Sequence, residues 1–372
     1  MKFTLTKQSK ISKARLGVLT TAHGKIATPF FMPIATRGAV KTLDYLELAA
    51  LQPRIILSNT YHLYLKPGHE LIKKAGGLHT FMQWSGSILT DSGGYQVFSL
   101  SDRRKITEAG ALFSVDEDGG QQHLLSPEKA VEIQLALGVD LLMVLDECPP
   151  YPCKKKYAAE SLALTTRWAK RSKDYFEKKL EIRNWKLKPG LFGIVQGSTF
   201  KDLRIKSARQ LVELNFDGYA VGGVAVGEPR EKMTEILKWV EPELPKDKPR
   251  YLMGLGKPEE IVAAVRAGMD MFDCVIPTRE GRHGKLFIWR RDDLRGKFYV
   301  TAQLDTARFK SDFSPINPDS ALPVLRHYSK AYLYHLFRTN EMLGMKLATL
   351  NNVEFYLELM RRIRQGIGKG RL

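Results

Sequence analysis

The chain has 372 residues and a formal net charge of +18, and its 44% apolar and 26% charged content suits a full buried core and excludes a fibrous or disordered chain. A balance this basic points to an acidic partner, nucleic acid first. Only three cysteines are present (Cys148, Cys153 and Cys274), which excludes a disulfide framework and suggests a reducing compartment.

Residues 1–10 show no apolar leader, and no apolar run approaches the roughly 20 residues of a membrane span, so a cytoplasmic protein without membrane partners is expected. Short β-like runs are predicted at 54–58, 87–90, 140–145, 191–195, 218–222, 250–253 and 269–275, with helical patterns between them. Residues 127–137 are a predicted helix, with Ser126 as N-cap, Pro127 in the first turn and Gly138 just past the end. A long basic amphipathic helix is expected over 158–179, and another over 258–267, opened by Pro258 and followed by Gly268. Strands too apolar for one-sided exposure, alternating with helices, predict a parallel sheet covered by helices. The fold class is therefore α/β, and seven or eight such units fit a (β/α)8 TIM barrel of roughly 250 residues with insertions. A doubly wound open sheet is the alternative; no G-x-G-x-x-G follows a first strand, which weighs against a dinucleotide fold. The catalytic core is assigned to residues 1–285, with the barrel completed by later helices. Residues 286–372 are read as a C-terminal insertion and helical subdomain. There, 285–319 suggests a hairpin, 328–345 and 353–367 two helices, and Arg361, Arg362, Arg364, Lys369 and Arg371 a basic tail.

The polar residues at the ends of the predicted strands carry the chemistry. One strand ends in Asp91-Ser-Gly-Gly-Tyr95, one in Asp146-Glu147-Cys148, one in Gln196-Gly197, one in Gly222-Gly223 followed by Glu228, and one in Met253. Any one of these alone is more often a turn than a site. In a barrel, however, strand ends meet at one mouth, where active sites lie. Asp146 and Gln196 can pair with a purine edge, backbone N–H at Gly222-Gly223 can donate to a carbonyl, and Tyr95 and Met253 can sandwich a ring. Residues 270–284 add Asp273 within an apolar strand pattern, where a carboxylate is costly without a partner or a task. Thr278, Arg279 and Arg282 follow in what reads as a Gly-bearing loop suited to a polyanion. Asp91 and Asp273 together offer acid–base and nucleophilic chemistry at a sugar carbon.

The segments Asp91-Ser-Gly-Gly-Tyr-Gln, Gly193-Ile-Val-Gln-Gly, Gly218-Tyr-Ala-Val-Gly-Gly-Val-Ala-Val-Gly-Glu and Phe272-Asp-Cys-Val-Ile-Pro-Thr-Arg, with Ser58-Asn-Thr-Tyr-His-Leu and Ala75-Gly-Gly-Leu-His, resemble the tRNA-guanine transglycosylase family over nearly the whole chain. The resemblance implies a modified (β/α)8 barrel. It also implies exchange of the wobble guanine of G-U-N anticodon tRNAs for a 7-deazaguanine on the path to queuosine, through a covalent enzyme–tRNA ester. It casts Asp273 as nucleophile, Asp91 as general base, and Asn59 as its support. Asp146, Gln196 and Gly223 become base readers, and Tyr95 and Met253 the stacking pair. Val224 and Glu228 fall at the 7-substituent, Cys148 and Val226 among the specificity positions, and Thr278, Arg279 and Arg282 at the anticodon stem-loop. Val226 resembles the bacterial type, which takes 7-aminomethyl-7-deazaguanine, where the queuine-using type has Gly. A queuine-using salvage enzyme and a non-catalytic tRNA-binding relative are the alternatives; the latter is expected to lose the nucleophile or base.

The resemblance breaks at one place. The family's structural zinc ligands, three Cys and a His, fall on Ser320, Leu322, Leu325 and Asn351, none of which suits a thiolate-rich site. No zinc and no other cofactor is expected, with Leu322 and Leu325 replacing the metal by apolar burial. Because that subdomain contributes to the family's dimer and tRNA platform, a homodimer is what the resemblance implies, and more of the tRNA affinity is assigned to the basic tail.

Overall fold

The computed structural model describes residues 1–99, 104–116, 119–182, 185, 187–224 and 226–372. Its centre is one sheet of eight parallel strands: β1 (Phe30–Met32), β2 (Ile55–Ser58), β3 (Ser87–Thr90), β4 (Leu141–Met143), β5 (Gly190–Val195), β6 (Gly218–Val221), β7 (Arg250–Leu252) and β8 (Met271–Asp273). Each strand pairs with the next in sequence, and β8 pairs with β1 in the register Met271↔Phe30, Phe272↔Phe31. An Ile34↔Leu57 bridge, with Ala35 N–H to the Leu57 carbonyl at 2.6 Å and Leu57 N–H to that of Pro33 at 3.0 Å, closes β1 onto β2 and makes a barrel. Every residue of these strands is buried, which explains why they read as continuous apolar runs rather than as an alternation.

All seven predicted strands are present. The eighth, β1, has three residues between Pro29 and Pro33, too few for any periodicity to register. The helices include α1 (Thr60–Leu65), α2 (Gly94–Ser99), α3 (Pro127–Leu137), α4 (Lys155–Glu181), α5 (Lys201–Glu213), α6 (Arg230–Val240), α7 (Pro258–Arg266), α8 (Ile276–Arg282), α9 (Lys330–Arg338) and α10 (Met342–Gly368). The caps of α3 are those expected: Ser126 accepts from Lys129 N–H, and Gly138 is left-handed at φ 70°.

Polar groups at the amino ends of the strands have structural partners. Asp270 accepts Arg15 Nε at 2.9 Å and Arg250 N–H at 2.8 Å, and Asp140 accepts His23 Nδ1 at 2.8 Å and Ile88 N–H at 3.0 Å. Arg15 opens the strand Arg15–Thr21, which forms a three-stranded antiparallel sheet with Lys2–Gln8 and Gly24–Thr28 and supplies this contact. Chemistry is thereby left to the carboxyl ends.

The C-terminal region differs from expectation in its helix boundary. Residues 342–352 belong to the second helix rather than to the first or a gap: α9 stops at Arg338, Asn340 is left-handed at φ 57°, and α10 then runs unbroken to Gly368. Three of the arginines expected in a basic tail lie on this helix and are engaged with the rest of the protein. Arg361 and Arg362 hold Glu358 at 2.5 and 2.8 Å, the Arg362 guanidinium lies 3.9 Å over the Trp289 ring, and Arg364 donates to the Pro29 carbonyl at 2.6 Å. A hairpin does occupy the expected insertion, pairing Lys285–Trp289 with Tyr299–Gln303. α10 covers the barrel between β8 and β1: Tyr356 packs 4.9 Å from Phe31 and donates to the Gly256 carbonyl at 2.6 Å. It also lies against α8, where a Cβ on Gly281 would sit 2.8 Å from Thr349 Cα. Among the described residues no helix is long and apolar enough to cross a membrane.

Candidate active site

The residues that follow each strand converge at the carboxyl mouth. Asp91 is the first residue after β3 and Asn59 the first after β2. Asp91 Oδ1 accepts the N–H groups of Thr60 at 3.0 Å and Gly93 at 3.1 Å, and Oδ2 accepts Asn59 Nδ2 at 2.5 Å. Asn59 at the same time caps α1, its Oδ1 accepting His62 N–H at 3.0 Å, so one side chain fixes both the helix start and the carboxylate. Gly93 is required here: its φ is 78°, and a Cβ would stand 3.0 Å from Tyr61 N.

Asp273 ends β8. The hydroxyl of Tyr251 (2.5 Å) and the N–H of Gly254 (2.8 Å) both donate to its Oδ1. Among the described residues no donor is recorded on Oδ2, so the carboxylate is held by one oxygen and presents the other. Burial pushes the pKa of Asp273 up, with Tyr251 and Gly254 pulling it down. Burial likewise raises Asp91 to about 7, against its three donors; the nearby Asp273 charge adds to the rise. Two carboxylates thus share one mouth, each fixed by its own donors.

A cluster of buried polar groups adjoins them. Asp146, three residues past β4, accepts Gln196 Nε2 at 2.7 Å, and burial lifts its pKa to about 6. Gln196 follows β5 directly; its Nε2 is spent on Asp146 and its Oε1 is buried with no partner. A buried orphan acceptor costs about 1–3 kcal/mol unless something donates to it, which makes Oε1 a docking point for a ligand N–H. Gly223 keeps that point open, since a Cβ there, at φ 59°, would lie 2.7 Å from Gln196 Oε1. Val224 is buried, and Glu228 turns back to accept Val226 N–H at 3.0 Å. Cys148 is pushed up to about 12 by burial, so its thiol stays protonated and is no nucleophile. Met253 follows β7 and packs against the core, whereas Tyr95 stands exposed on α2; no contact between them is recorded.

Thr278, Arg279 and Arg282 do not lie in a loop. They sit on α8, which begins three residues after Asp273 with Pro277 in its first turn; Gly281, taken for a loop signal, is the residue that lets α10 approach. Arg279 points to solvent beside Glu280, while Arg282 donates to the Thr278 carbonyl at 3.0 Å. Val275, likewise expected within the strand, lies past its end and is exposed.

Two residues escaped the sequence reading. Tyr251 lies inside β7 and looked like core. Arg204 is fully buried on α5 and donates to four acceptor contacts: the carbonyls of Ser198 (2.7 Å), Val195 (2.9 Å), Gly222 (2.7 Å) and Gly223 (2.8 Å). It ties the end of β5 to the end of β6, and so sets Gln196 against the glycine turn. The signal was available: Leu203, Arg204, Ser207, Ala208 and Leu211 form the buried stripe of that helix, and a cation on such a stripe needs acceptors.

A family model described as queuine tRNA-ribosyltransferase matches residues 9–372. A protein of Pelotomaculum thermopropionicum named queuine tRNA-ribosyltransferase is 50% identical over 370 residues, covering 100% of this chain and 95% of its own length. Proteins of the same name from Desulforudis audaxviator (49% over 369 residues; 99% and 95% covered) and Solidesulfovibrio magneticus (50% over 364; 96% and 92%) are similar to it as well.

Proposed function

The chain belongs to the queuine tRNA-ribosyltransferase family and is a tRNA-guanine transglycosylase, a pentosyltransferase acting on tRNA, and from that premise we propose how its residues carry the exchange. Asp273 Oδ2 attacks C1′ of the wobble guanosine. The C1′–O bond forms as the C1′–N9 bond breaks, and Asp91, neutral part of the time at a pKa of about 7, gives its proton to the departing N9. The incoming base then returns a proton from its own N9 to Asp91, attacks C1′ and releases Asp273. Two inversions give retention, as in a retaining glycosidase. Asp146 and Gln196 read the Watson–Crick edge, backbone at Gly223 and Val224 holds the carbonyl and the 7-substituent, and Tyr95 and Met253 stack on the ring. Thr278, Arg279 and Arg282 take the anticodon stem-loop.

The observation that carries this reading is the asymmetry at Asp273, with Oδ1 tied by two donors and Oδ2 without one among the described residues, while a second carboxylate, Asp91, lies near enough to feel its charge. The incoming base is taken to be 7-aminomethyl-7-deazaguanine, because Val226 occupies the position where the resemblance puts the choice between that base and bulky queuine. The name of these relatives, queuine tRNA-ribosyltransferase, favours queuine as the second reading. The enzyme is assigned to the cytoplasm with its tRNA, as a homodimer. The test is release of labelled guanine from a G-U-N tRNA on adding either base. Release with the aminomethyl base, its loss in Asp273→Asn, and queuine use only in Val226→Gly are expected. Unchanged release in Asp273→Asn removes the mechanism, and efficient queuine use by the unaltered chain removes the substrate assignment.

A further inference from the structure

The positions that the resemblance assigns to three Cys and one His of a zinc site are drawn together, but with other chemistry. Leu322 and Leu325 are buried in the hydrophobic core, and an alkyl side chain offers no lone pair. The hydroxyl of Ser320 donates to Glu354 Oε2 at 2.6 Å and accepts Leu322 N–H at 3.0 Å. The amide of Asn351 donates to the Phe287 carbonyl at 3.0 Å and to Asn352 Oδ1 at 3.1 Å, and its Oδ1 faces Asn317 Nδ2 at 3.4 Å. Both polar side chains are therefore spent on neighbours, and neither is the thiolate, imidazole or carboxylate that zinc takes. The clusters of potential metal ligands among the described residues, His23 with His79 and Asp140, and His69 with Glu70 and Glu132, lie elsewhere. The donor set does not fit the metal.

We propose that this chain closes its C-terminal subdomain without zinc, through a hydrogen-bonded clasp centred on Glu354 over an apolar plug of Leu322 and Leu325. Glu354 stands one turn after Asn351 on α10, so the two share a face. Its carboxylate bridges the loop, taking the Ser320 hydroxyl on Oε2 and Ala321 N–H at 2.8 Å on Oε1. Arg326 reaches back to the Ser320 carbonyl, and Asn317 N–H bonds the Leu325 carbonyl at 3.0 Å, so the loop is braced from within. Asn351 extends the clasp to the hairpin strand Lys285–Trp289. A zinc–thiolate staple fixes such a loop to a helix by a few strong bonds that chelators and thiol oxidants remove. Here the same connection is made by neutral and carboxylate hydrogen bonds around buried leucines, groups that neither reagent attacks.

This inference goes beyond the catalytic reading, and none of its readouts uses the exchange reaction, so each can fail alone. The full-length, untagged protein is purified without chelator or added metal and assayed for zinc by mass spectrometry. Its melting is followed with and without EDTA, beside Glu354→Ala and Ser320→Ala. Far less than one zinc per chain is expected, with a melting temperature unmoved by EDTA. Glu354→Ala should melt about 2–5 °C lower, and Ser320→Ala lower by a smaller amount. Faster proteolysis within residues 313–327 is expected in both, and if Glu354→Ala does not fold, Ser320→Ala carries the same readouts. About one zinc per chain, a melting temperature lowered by EDTA, or a folded Glu354→Ala that melts and resists proteolysis like the parent overturns the proposal.

Discussion

Replacing Asp91 by Asn should inactivate the protein and stabilise it. Burial and the neighbouring Asp273 lift the Asp91 carboxyl from 3.8 to about 7. At about 1.4 kcal/mol per pH unit, the ionised carboxylate at neutral pH costs the fold at most ~4 kcal/mol relative to the unfolded chain, and less because the side chain is partly open to solvent. Asn is nearly isosteric and can still accept from Thr60 and Gly93 through its oxygen. Its amide must then face Asn59 Nδ2, donor against donor, and Asn59 cannot turn over without losing His62 N–H. That clash takes back about 1–2 kcal/mol. A net gain of about 2 kcal/mol remains, or roughly 3 °C in melting temperature for a chain of this length. The pH dependence carries the sign. In the fold Asp91 holds its proton up to about pH 7 and in the unfolded chain only to about 4, so the native state binds more protons between them, and stability falls as pH rises through that window. The advantage of the variant should therefore be absent near pH 4, grow across the window, and level off above about 7. Melting of both proteins from pH 4.5 to 8, by calorimetry, measures it. A variant less stable than the parent at pH 8, or a difference that does not change with pH, refutes the reasoning.

Further outcomes follow from the same contacts. The second half-reaction, exchange of the enzyme-bound ribose onto the incoming base, should slow as pH falls, because Asp91 must be ionised to receive the proton; its midpoint should lie below the free protein's value of about 7, because esterified Asp273 no longer adds its charge to the rise, and single-turnover rates across pH 5.5–8 read this. Tyr251→Phe leaves Gly254, among the described residues, as the sole donor on Asp273 Oδ1 and raises the pKa of the nucleophile, so formation of the covalent complex should slow about 10–100-fold with little change in tRNA binding, as rapid quench and filter binding would report. Arg204→Met strips the carbonyls of Val195, Ser198, Gly222 and Gly223 of their shared donor. It should lower stability by about 3 kcal/mol or more in denaturant titration, and raise the KM for the base more than it lowers kcat.

Much of this site could be read from the sequence because a parallel barrel converts order along the chain into convergence in space. Asp91, Asp146, Gln196, Gly223 and Met253 each sit within three residues of a strand end, and one mouth gathers them. What could not be read depended on neighbours distant in sequence. Tyr251 looks like core in β7 until β8 brings Asp273 beside it. Gly281 reads as a loop until α10 is seen to need the space. β1 is too short to carry a period, and only its pairing with β8 and β2 makes it a strand. Glu354 has no local mark at all: it is one acid on a helix, and its role depends on Ser320 and Ala321 coming to it from the loop before the short helix Pro323–His327.

The central claim is that Asp273 becomes bonded to the ribose. The protein is incubated with a G-U-N anticodon stem-loop without an incoming base, denatured, and run on a gel, and the shifted band is digested for mass spectrometry. The account predicts an RNA adduct that survives denaturation, is carried by the peptide containing Asp273, is discharged by adding the 7-deazaguanine base before denaturation, and is missing in Asp273→Asn. An adduct of equal yield in Asp273→Asn, or one carried by a different peptide, contradicts it.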